Sequence, residues 1–355
     1  MKNLIEHWVR PEIRALSAYH VPDPGNMIKL DAMENPYTWP EALRQSWLEQ
    51  MANVDVNRYP DPQAGDLKRQ LRETMGIPED AALILGNGSD ELIQMLAMTV
   101  AAPKRLILSV EPGFVMYRMI ATFCGMGYQG VSLNAQDFSL DTERLLEAIE
   151  RHQPALIFLA YPNNPTGNLF DAGALQRVIE AAPGLVVIDE AYAPFTDHSF
   201  MARLGQHANL LVMRTVSKMG LAGLRLGYLA GPAAWLAEVE KTRLPYNINV
   251  LTQISTCFAL RHKALFDQQT RQIRQAREAL FAALQQTDGI RAYASEANFI
   301  LVRTQHKAAP SVFQGLKARG VLVKILHGAH PMLDQCLRIT VGTAEENQVF
   351  IEALR

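Results

Sequence analysis

Side chains able to do covalent and acid–base chemistry follow three apolar runs of the sequence. Residues 161–167 read YPNNPTG, residues 189–192 read DEAY and residues 214–218 read RTVSK. The runs before them are short and continuously apolar, which is typical of strands buried on both faces of a parallel sheet. Because the carboxyl ends of parallel strands share one edge of the sheet, we expect an amide, a carboxylate, a phenol and an amine to lie close together there.

An anion-binding segment is indicated upstream at Gly86–Glu91, which reads GNGSDE before an apolar helical pattern. Small residues and a Ser/Asp cap at a helix start leave backbone N–H groups where a phosphate could bind. Alone, this segment is more typical of an ordinary capped helix. Asp189 alone could cap the segment after it, and Lys218 alone could be a solvated lysine. Only the combination indicates a site.

These groups together suit pyridoxal phosphate. That cofactor needs a lysine for a Schiff base, a carboxylate that keeps its pyridine nitrogen protonated, and a cradle for its phosphate. Lys218 and Asp189 fit the first two needs. Tyr192 and Asn164 are candidates for hydrogen bonds to its phenolic oxygen, and Phe114 is the candidate for stacking on its ring. The candidates for holding its phosphate are Ser89, Asp90, Thr215, Ser217 and Arg225.

The elements that must position these residues alternate between short strands and helices. Apolar runs predict strands at Leu106–Val110, Leu156–Leu159, Leu185–Ile188, Leu210–Met213 and Leu226–Ala230. Helical periodicity predicts helices at Asp66–Met75, Asp90–Ala101, Thr142–Arg151 and Ala172–Ala181, and one long helix from about Leu251 to Gln286. The C-terminal part predicts strands at Ala297–Val302, Val321–Ile325 and Cys336–Val341, and helices at Ala309–Arg319 and Glu345–Leu354.

This alternation predicts an α/β fold with a mostly parallel sheet and a second, smaller α+β domain. We expect an N-terminal arm over residues 1–30 that packs on the small domain or on a partner subunit. A large domain should cover residues 31–250, and a small domain, led by the long helix, residues 251–355.

The composition favours a globular protein with a small-molecule ligand. The chain has 355 residues, of which 48% are apolar and 20% charged, and a formal net charge of −2. That balance gives no field of one sign to recruit nucleic acid or an anionic membrane, and no apolar stretch approaches the ~20 residues of a spanning helix. We expect a cytoplasmic protein. The three widely spaced cysteines predict neither a disulfide framework nor a zinc site, and we expect no metal.

The motifs at residues 161–167, 189–192 and 215–218, together with Arg225, make the sequence similar to the class I and II aminotransferases of fold type I. Within that family, the likeness is to the enzymes that act on histidinol phosphate. It runs nearly end to end and includes Asn57–Asp61 (NRYPD) and Leu337–Thr343 (LRITVGT). The resemblance implies a large domain with a seven-stranded, mostly parallel sheet, a smaller domain built from both chain ends, and a homodimer with shared active sites.

The resemblance also implies roles for individual residues. Lys218 would bind the cofactor covalently and move a proton, and Asp189 would pair with its pyridinium nitrogen. Arg338 would hold the carboxylate of glutamate or 2-oxoglutarate as a bidentate fork. Tyr59 would reach the cofactor phosphate of the neighbouring subunit. Positions near the substrate match Tyr19 and Asn35, and Lys324 stands where the family has an arginine, so it would hold a substrate phosphate as a point charge.

The function expected from this resemblance is transfer of an amino group between L-histidinol phosphate and 2-oxoglutarate in histidine biosynthesis. Other pyridoxal phosphate enzymes of the same scaffold remain alternatives, such as an aromatic amino acid aminotransferase or a threonine-phosphate decarboxylase. A non-catalytic regulator that borrows the fold is a more remote one. The pattern GxGxxG at Gly125–Gly130 predicts a helix stop instead of a nucleotide site, because it follows a helical segment and precedes a strand.

Overall fold

A computed structural model describes residues 2–18 and 21–355 of the chain. The α-helices of these residues are α1 (Lys2–Trp8), α2 (Pro11–Arg14), α3 (Glu41–Met51), α4 (Gly65–Met75), α5 (Ser89–Val100), α6 (Val115–Phe123), α7 (Thr142–His152), α8 (Ala172–Ala181), α9 (Ala233–Glu240), α10 (Val250–Arg261), α11 (Lys263–Gln285), α12 (Ala309–Ala318) and α13 (Ala344–Leu354). The strands are β1 (Ile28–Leu30), β2 (Ala82–Gly86), β3 (Leu106–Glu111), β4 (Gly127–Ser132), β5 (Leu156–Ala160), β6 (Leu185–Asp189), β7 (Leu210–Thr215), β8 (Gly227–Gly231), β9 (Ile290–Ala292), β10 (Phe299–Thr304), β11 (Val321–Ile325) and β12 (Cys336–Thr340).

Seven strands form one large sheet in the order β2-β8-β7-β6-β5-β3-β4. Only β8 is antiparallel, to both β2 and β7, whereas the other neighbours run parallel. Strands β5 and β6 are buried at every position, because helices cover both faces, and two apolar clusters form the core on the two sides of the sheet. The predicted α/β fold class with a mostly parallel sheet is confirmed.

A second sheet of five strands has the order β1-β11-β12-β10-β9. Strand β1 pairs parallel with β11, with Ile28 opposite Val321, so a segment near the start of the chain completes a sheet built near its end. Further upstream, the Arg10 guanidinium donates to the carbonyl oxygens of Thr122 and Phe123 at the end of α6. The N-terminal segment therefore contacts both parts of the molecule, and the domain boundaries proposed above stay a prediction.

The structure corrects the prediction of one long helix over residues 251–286. His262 has φ −106° and ψ 25°, which ends α10 at Arg261, and the chain restarts as α11 at Lys263. No glycine or proline marks this break, so helical periodicity runs through it undetected. At Gly125, in contrast, a φ of +70° directly after α6 is the predicted helix stop.

Three further features bear on the expectations from composition. Within residues 2–18 and 21–355, no helix is long and apolar enough to cross a membrane. The three cysteines are free thiols. Among the same residues, no group of three or more His, Cys, Asp or Glu side chains is placed to hold a metal ion.

Candidate active site

A cavity of about 110 Å³ lies at the carboxyl ends of β5, β6 and β7. Its wall contains ten of the residues singled out as cofactor ligands: Ser89, Asp90, Phe114, Asn164, Asp189, Tyr192, Thr215, Ser217, Lys218 and Arg225. They come from segments more than 130 residues apart in the chain and meet because parallel strands end at one edge. The structure thus brings these ten together. We call this space the cofactor cavity.

Asp189 is the last residue of β6 and lies at the floor of the cofactor cavity. The Tyr117 hydroxyl donates to its Oδ2 over 2.7 Å, and the Ala191 backbone N–H donates to its Oδ1 over 3.1 Å. Burial raises the pKa of Asp189 to about 6, although these two hydrogen bonds oppose that rise. A carboxylate in this position would gain a great deal from a cationic partner in the cavity.

Lys218 follows β7 in a short 3₁₀ helix, Ser217–Met219, and its amine enters the same cavity. Its Nζ donates weakly to the Ala32 carbonyl oxygen at 3.5 Å and lies 5.8 Å from the centre of the Tyr192 ring. Burial and, after it, the nearby positive charge of Arg338 lower the pKa of Lys218 to about 8. At a given pH, the fraction of molecules in which this amine is neutral and nucleophilic is therefore much larger than the corresponding fraction for a solvated lysine.

The other end of the cavity is built around the first turn of α5. Gly88 caps this helix with φ +83° and without a side-chain hydrogen bond, so the expected Ser/Asp side-chain cap is wrong. Instead, the Glu91 carboxylate accepts from the Asn87 backbone N–H. A β-carbon at Gly227 would lie 2.7 Å from the Ser89 backbone nitrogen, so only glycine lets β8 pack so closely behind this turn.

One guanidinium group and two hydroxyl groups complete this part of the cavity wall. Arg225, which has a left-handed φ of +47°, places its guanidinium 3.6 Å from Asp90 Oδ2. Thr215 and Ser217 are buried, and their hydroxyls lie 2.9 Å apart. Uncapped backbone N–H groups, a guanidinium and two hydroxyls form a set of donors that fits a phosphate dianion.

A larger cavity of about 660 Å³ adjoins the cofactor cavity and shares Met33, Phe114 and Asn164 with it. We call it the substrate cavity. Arg338 and Lys324 line it from neighbouring strands, where they lie directly opposite each other, so their side chains share one face of the sheet. Arg338 donates to Asn164 Oδ1 over 2.6 Å and to the Asp31 carbonyl oxygen over 3.1 Å.

Two of the described residues expected near the cofactor or substrate are not in these walls. Asn35 donates from its amide to Met219 O and Gln269 Oε1, so it supports the segment after Lys218 and does not line either cavity. Tyr59 stacks on Tyr246 with ring centres 4.4 Å apart at the surface. Tyr19 lies outside the described residues.

Two residues that line or support the cofactor cavity were missed in the sequence. Met33 lines both cavities, with its Sδ 3.0 Å from the Tyr192 hydroxyl, which therefore points at sulfur in this state. Tyr117 lies under Asp189. A signal for Tyr117 existed, since it stands three residues after Phe114 and the two rings are in contact, but Met33 carries no local signal.

The donor set fits pyridoxal phosphate. A buried carboxylate, a set of donors that suits a phosphate and a lysine of lowered pKa all line the cofactor cavity. The buried Oδ1 atom of Asp90 has no hydrogen-bond partner among the described residues, as expected for a polar wall that faces a bound group. The Asn164–Pro165 peptide bond, whose isomer the sequence left open, is cis.

Comparison with known proteins places this architecture in a family. Residues 25–354 match the model of the aminotransferase class I and II family. The chain belongs to that family, and it is an aminotransferase.

Particular relatives narrow the likeness. The chain is 56% identical to histidinol-phosphate aminotransferase 2 of Nitrosococcus oceani over 354 residues, which is 100% of this chain and 98% of that protein. It is 50% identical to the histidinol-phosphate aminotransferase of Chromobacterium violaceum, over 100% of this chain and 99% of that one. A solved histidinol-phosphate aminotransferase of Sinorhizobium meliloti, in complex with pyridoxal 5'-phosphate, has the same fold, with a TM-score of 0.86 and 22% identity over 98% of this chain and 96% of that one.

Proposed function

We propose that this enzyme transfers the amino group between L-histidinol phosphate and 2-oxoglutarate, giving imidazole-acetol phosphate and glutamate in histidine biosynthesis. Its cofactor is pyridoxal 5'-phosphate. The observation that carries the proposal is the convergence of Lys218, Asp189 and Arg225 on one cavity, in a chain that is 50–56% identical over its whole length to enzymes of that name. A cofactor of this kind supplies an electron sink for the carbon that loses its proton.

The residues of the cofactor cavity have distinct tasks. Lys218 supplies the amine that binds the cofactor and then carries a proton at Nζ, for which a pKa of about 8 is close to neutrality. Asp189 pairs with the pyridinium nitrogen, and Phe114 stacks on the ring. Asn164 and Tyr192 orient the phenolic oxygen. Ser89, Asp90, Thr215, Ser217 and Arg225 hold the phosphate.

The substrate cavity explains how one pocket could serve two different substrates. Arg338 and Lys324 present two positive charges on one face of the small sheet. A guanidinium can grip a carboxylate as a fork, and an ammonium can hold a phosphate as a point charge. A phosphate monoester and a dicarboxylate are both anionic, so each can occupy this face in turn during ping-pong turnover. Near this face, we propose a contact from Tyr19 as well, whereas Asn35 acts indirectly by supporting the segment after Lys218.

The decisive experiment is a panel of amino donors, with absorbance of the bound cofactor as the readout. Histidinol phosphate should be the best donor, while phenylalanine and threonine phosphate should be poor. Carbon dioxide release would mark a threonine-phosphate decarboxylase, and a bound cofactor without turnover of any donor would mark a regulator. Lys218→Ala should abolish both transamination and the visible absorbance of the bound cofactor. Turnover at the wild-type rate in that variant would refute the proposal.

We also propose that the enzyme is a homodimer in the cytoplasm and that Tyr59 acts in the neighbouring active site. Support comes from the family resemblance and from the surface. Tyr59 is 81% exposed although it is aromatic, and it stacks on Tyr246. Exposed apolar side chains stand close to both in the sequence, at Val56 and Leu244. Clusters of this kind are typical of surfaces that a second subunit covers.

A further inference from the structure

Among the described residues, a side chain of the neighbouring helix α6, Tyr117, is hydrogen-bonded to Asp189. It lies on α6, is 1% exposed and donates from its hydroxyl to Asp189 Oδ2 over 2.7 Å. Its ring is fixed from two sides. It stacks on Phe158 with centres 4.7 Å apart and planes at 6°, and Phe114 meets its edge at 5.4 Å.

We propose that Tyr117 is a positioning residue that keeps Asp189 ionised and aimed into the cofactor cavity, and thereby sets the affinity for the pyridinium ring. This inference rests on the proposed function. The hydroxyl must be the donor, because the pKa of Tyr117 lies well above its usual value, owing first to burial and then to the Asp189 charge. A donor to a carboxylate stabilises the ionised form and opposes the cost of burial.

The geometry makes one oxygen of Asp189 depend on Tyr117. Oδ1 already accepts from the Ala191 backbone N–H on the same strand end, whereas Oδ2 accepts from the Tyr117 hydroxyl. Two nearby acidic side chains oppose ionisation of Asp189: Asp90 on α5 and Glu190, its neighbour in sequence, both raise its pKa. On the cavity side, Lys218 and Arg225 supply positive charge. The hydrogen bond from Tyr117 thus counteracts the rise in the Asp189 pKa that burial and the two acidic side chains cause.

The test is Tyr117→Phe in the full chain, which removes one oxygen and keeps the stacked ring. Loss of a hydrogen bond to a charged group should raise the Kd for pyridoxal phosphate roughly 10- to 100-fold. Absorbance titration of the cofactor-free protein measures this Kd. The matched control is Tyr293→Phe. Tyr293 is also buried, but its hydroxyl has no hydrogen-bond partner in the described part of the chain, and it lines neither cavity. Its Kd should stay within about twofold of wild type.

A pH profile separates positioning from general damage to the fold. Wild-type affinity for pyridoxal phosphate should fall as the pH drops through about 6, where Asp189 takes up a proton. Without the phenol, the carboxylate is a weaker acid, so this fall should begin about one pH unit higher. In an Asp189→Asn background, Tyr117→Phe should add no further loss.

The outcomes distinguish the two levels of the argument. An unshifted profile, an equal loss in Tyr293→Phe, or a full additional loss in the Asp189→Asn background would overturn the role of Tyr117. A wild-type protein that binds no pyridoxal phosphate would overturn the proposed function itself. A shifted profile with an unaltered control supports the positioning role.

Discussion

Lys218 owes its reactivity to two features of its surroundings: burial, which disfavours the ammonium form, and Arg338, whose positive charge acts in the same direction. The same guanidinium that is proposed to hold a substrate carboxylate therefore tunes the amine that binds the cofactor. At neutral pH, a lysine with a pKa of about 8 is neutral in roughly one molecule in ten, against less than one in a thousand for an ordinary lysine.

Loss of Arg338 should accordingly slow loading of the cofactor. In wild type, the rate at which Lys218 reacts with added pyridoxal phosphate should rise with pH through about 8, because only the neutral amine attacks. Arg338→Gln removes a charge that lowers this pKa, so its profile should move to higher pH. Stopped-flow absorbance measures the rate.

Arg118→Gln is the control for that experiment, because Arg118 also lines the substrate cavity but is paired with Glu111. Its profile should match wild type. Coincident profiles for Arg338→Gln and wild type would contradict the coupling.

Asp189 should make the cofactor-free protein less stable at neutral pH. Its folded-state pKa of about 6 exceeds the unfolded value of 3.8, so folding favours the protonated form. The loss of folding stability is absent at low pH, grows between about pH 4 and 6, and reaches its full size above about pH 6. A difference of about two pKa units corresponds to about 3 kcal/mol.

Asp189→Asn should therefore stabilise the cofactor-free chain at pH 8 by up to about 3 kcal/mol, while losing affinity for the cofactor. Urea denaturation at pH 8 and at pH 4.5 measures the difference, which should shrink at the lower pH. If Asp189→Asn were less stable than wild type at pH 8, burial of the Asp189 carboxylate would not be destabilising the fold.

At the scale of elements, the sequence predicted the site where a residue directly follows a buried strand. Asp189 ends β6, and Lys218 comes three residues after β7, so continuous apolar runs were enough to place both at one edge. Strands with weaker signals were missed, such as β2, which pairs with the antiparallel β8, and the three-residue β9. Local patterns say little about such strands because tertiary pairing decides them.

The substrate cavity was harder to predict than the cofactor cavity. Lys324 and Arg338 lie on adjacent strands of the small sheet, and their pairing depends on register, which alternation alone does not fix. Met33 is held by long-range contacts, since its N–H donates to Thr340 Oγ1 and its carbonyl oxygen accepts from Asn298. Contacts across some 300 residues leave no trace in local spacing.

The tight turn before α5 should tolerate no side chain. Gly88 has φ +83°, and a β-carbon there would lie 2.5 Å from Arg225 Nη2. Gly88→Ala should cost about 1–3 kcal/mol of stability through backbone strain and weaken cofactor binding by displacing the guanidinium. Thermal denaturation and absorbance titration measure the two effects.

Gly223→Ala is the matched control, since a β-carbon at Gly223 would meet nothing within 4 Å. Its stability should change by less than about 0.5 kcal/mol, and its affinity for the cofactor should stay at the wild-type value. Equal behaviour of the two alanine variants would argue against a special role for the Gly88 turn.

At the scale of the whole molecule, the surface around Tyr59 predicts how the active site depends on assembly. Leu244 is 71% exposed and lies two residues before Tyr246, on which Tyr59 stacks. Leu244→Glu should place a charge in the proposed subunit interface, shift the protein from dimer to monomer in sedimentation velocity, and weaken cofactor binding in parallel.

Val349→Glu serves as the control for this surface. Val349 is also exposed, but it lies on α13, which packs on α11 and α12. It should leave both the sedimentation coefficient and the affinity unaltered. Tight cofactor binding by a monomeric Leu244→Glu variant would contradict the contribution of Tyr59 across the interface.

The parallel pairing of β1 with β11 has a consequence for biosynthesis. Residues 28–30 leave the ribosome almost 300 residues before the strand on which they dock. The large sheet, which ends at residue 231, can be complete while translation continues. The smaller sheet cannot, because its edge strand β1 stays unpaired until the last tenth of the polypeptide emerges. Nascent chains arrested before residue 321 should consequently expose Ile28–Leu30 to protease, and full-length released chains should protect the same residues.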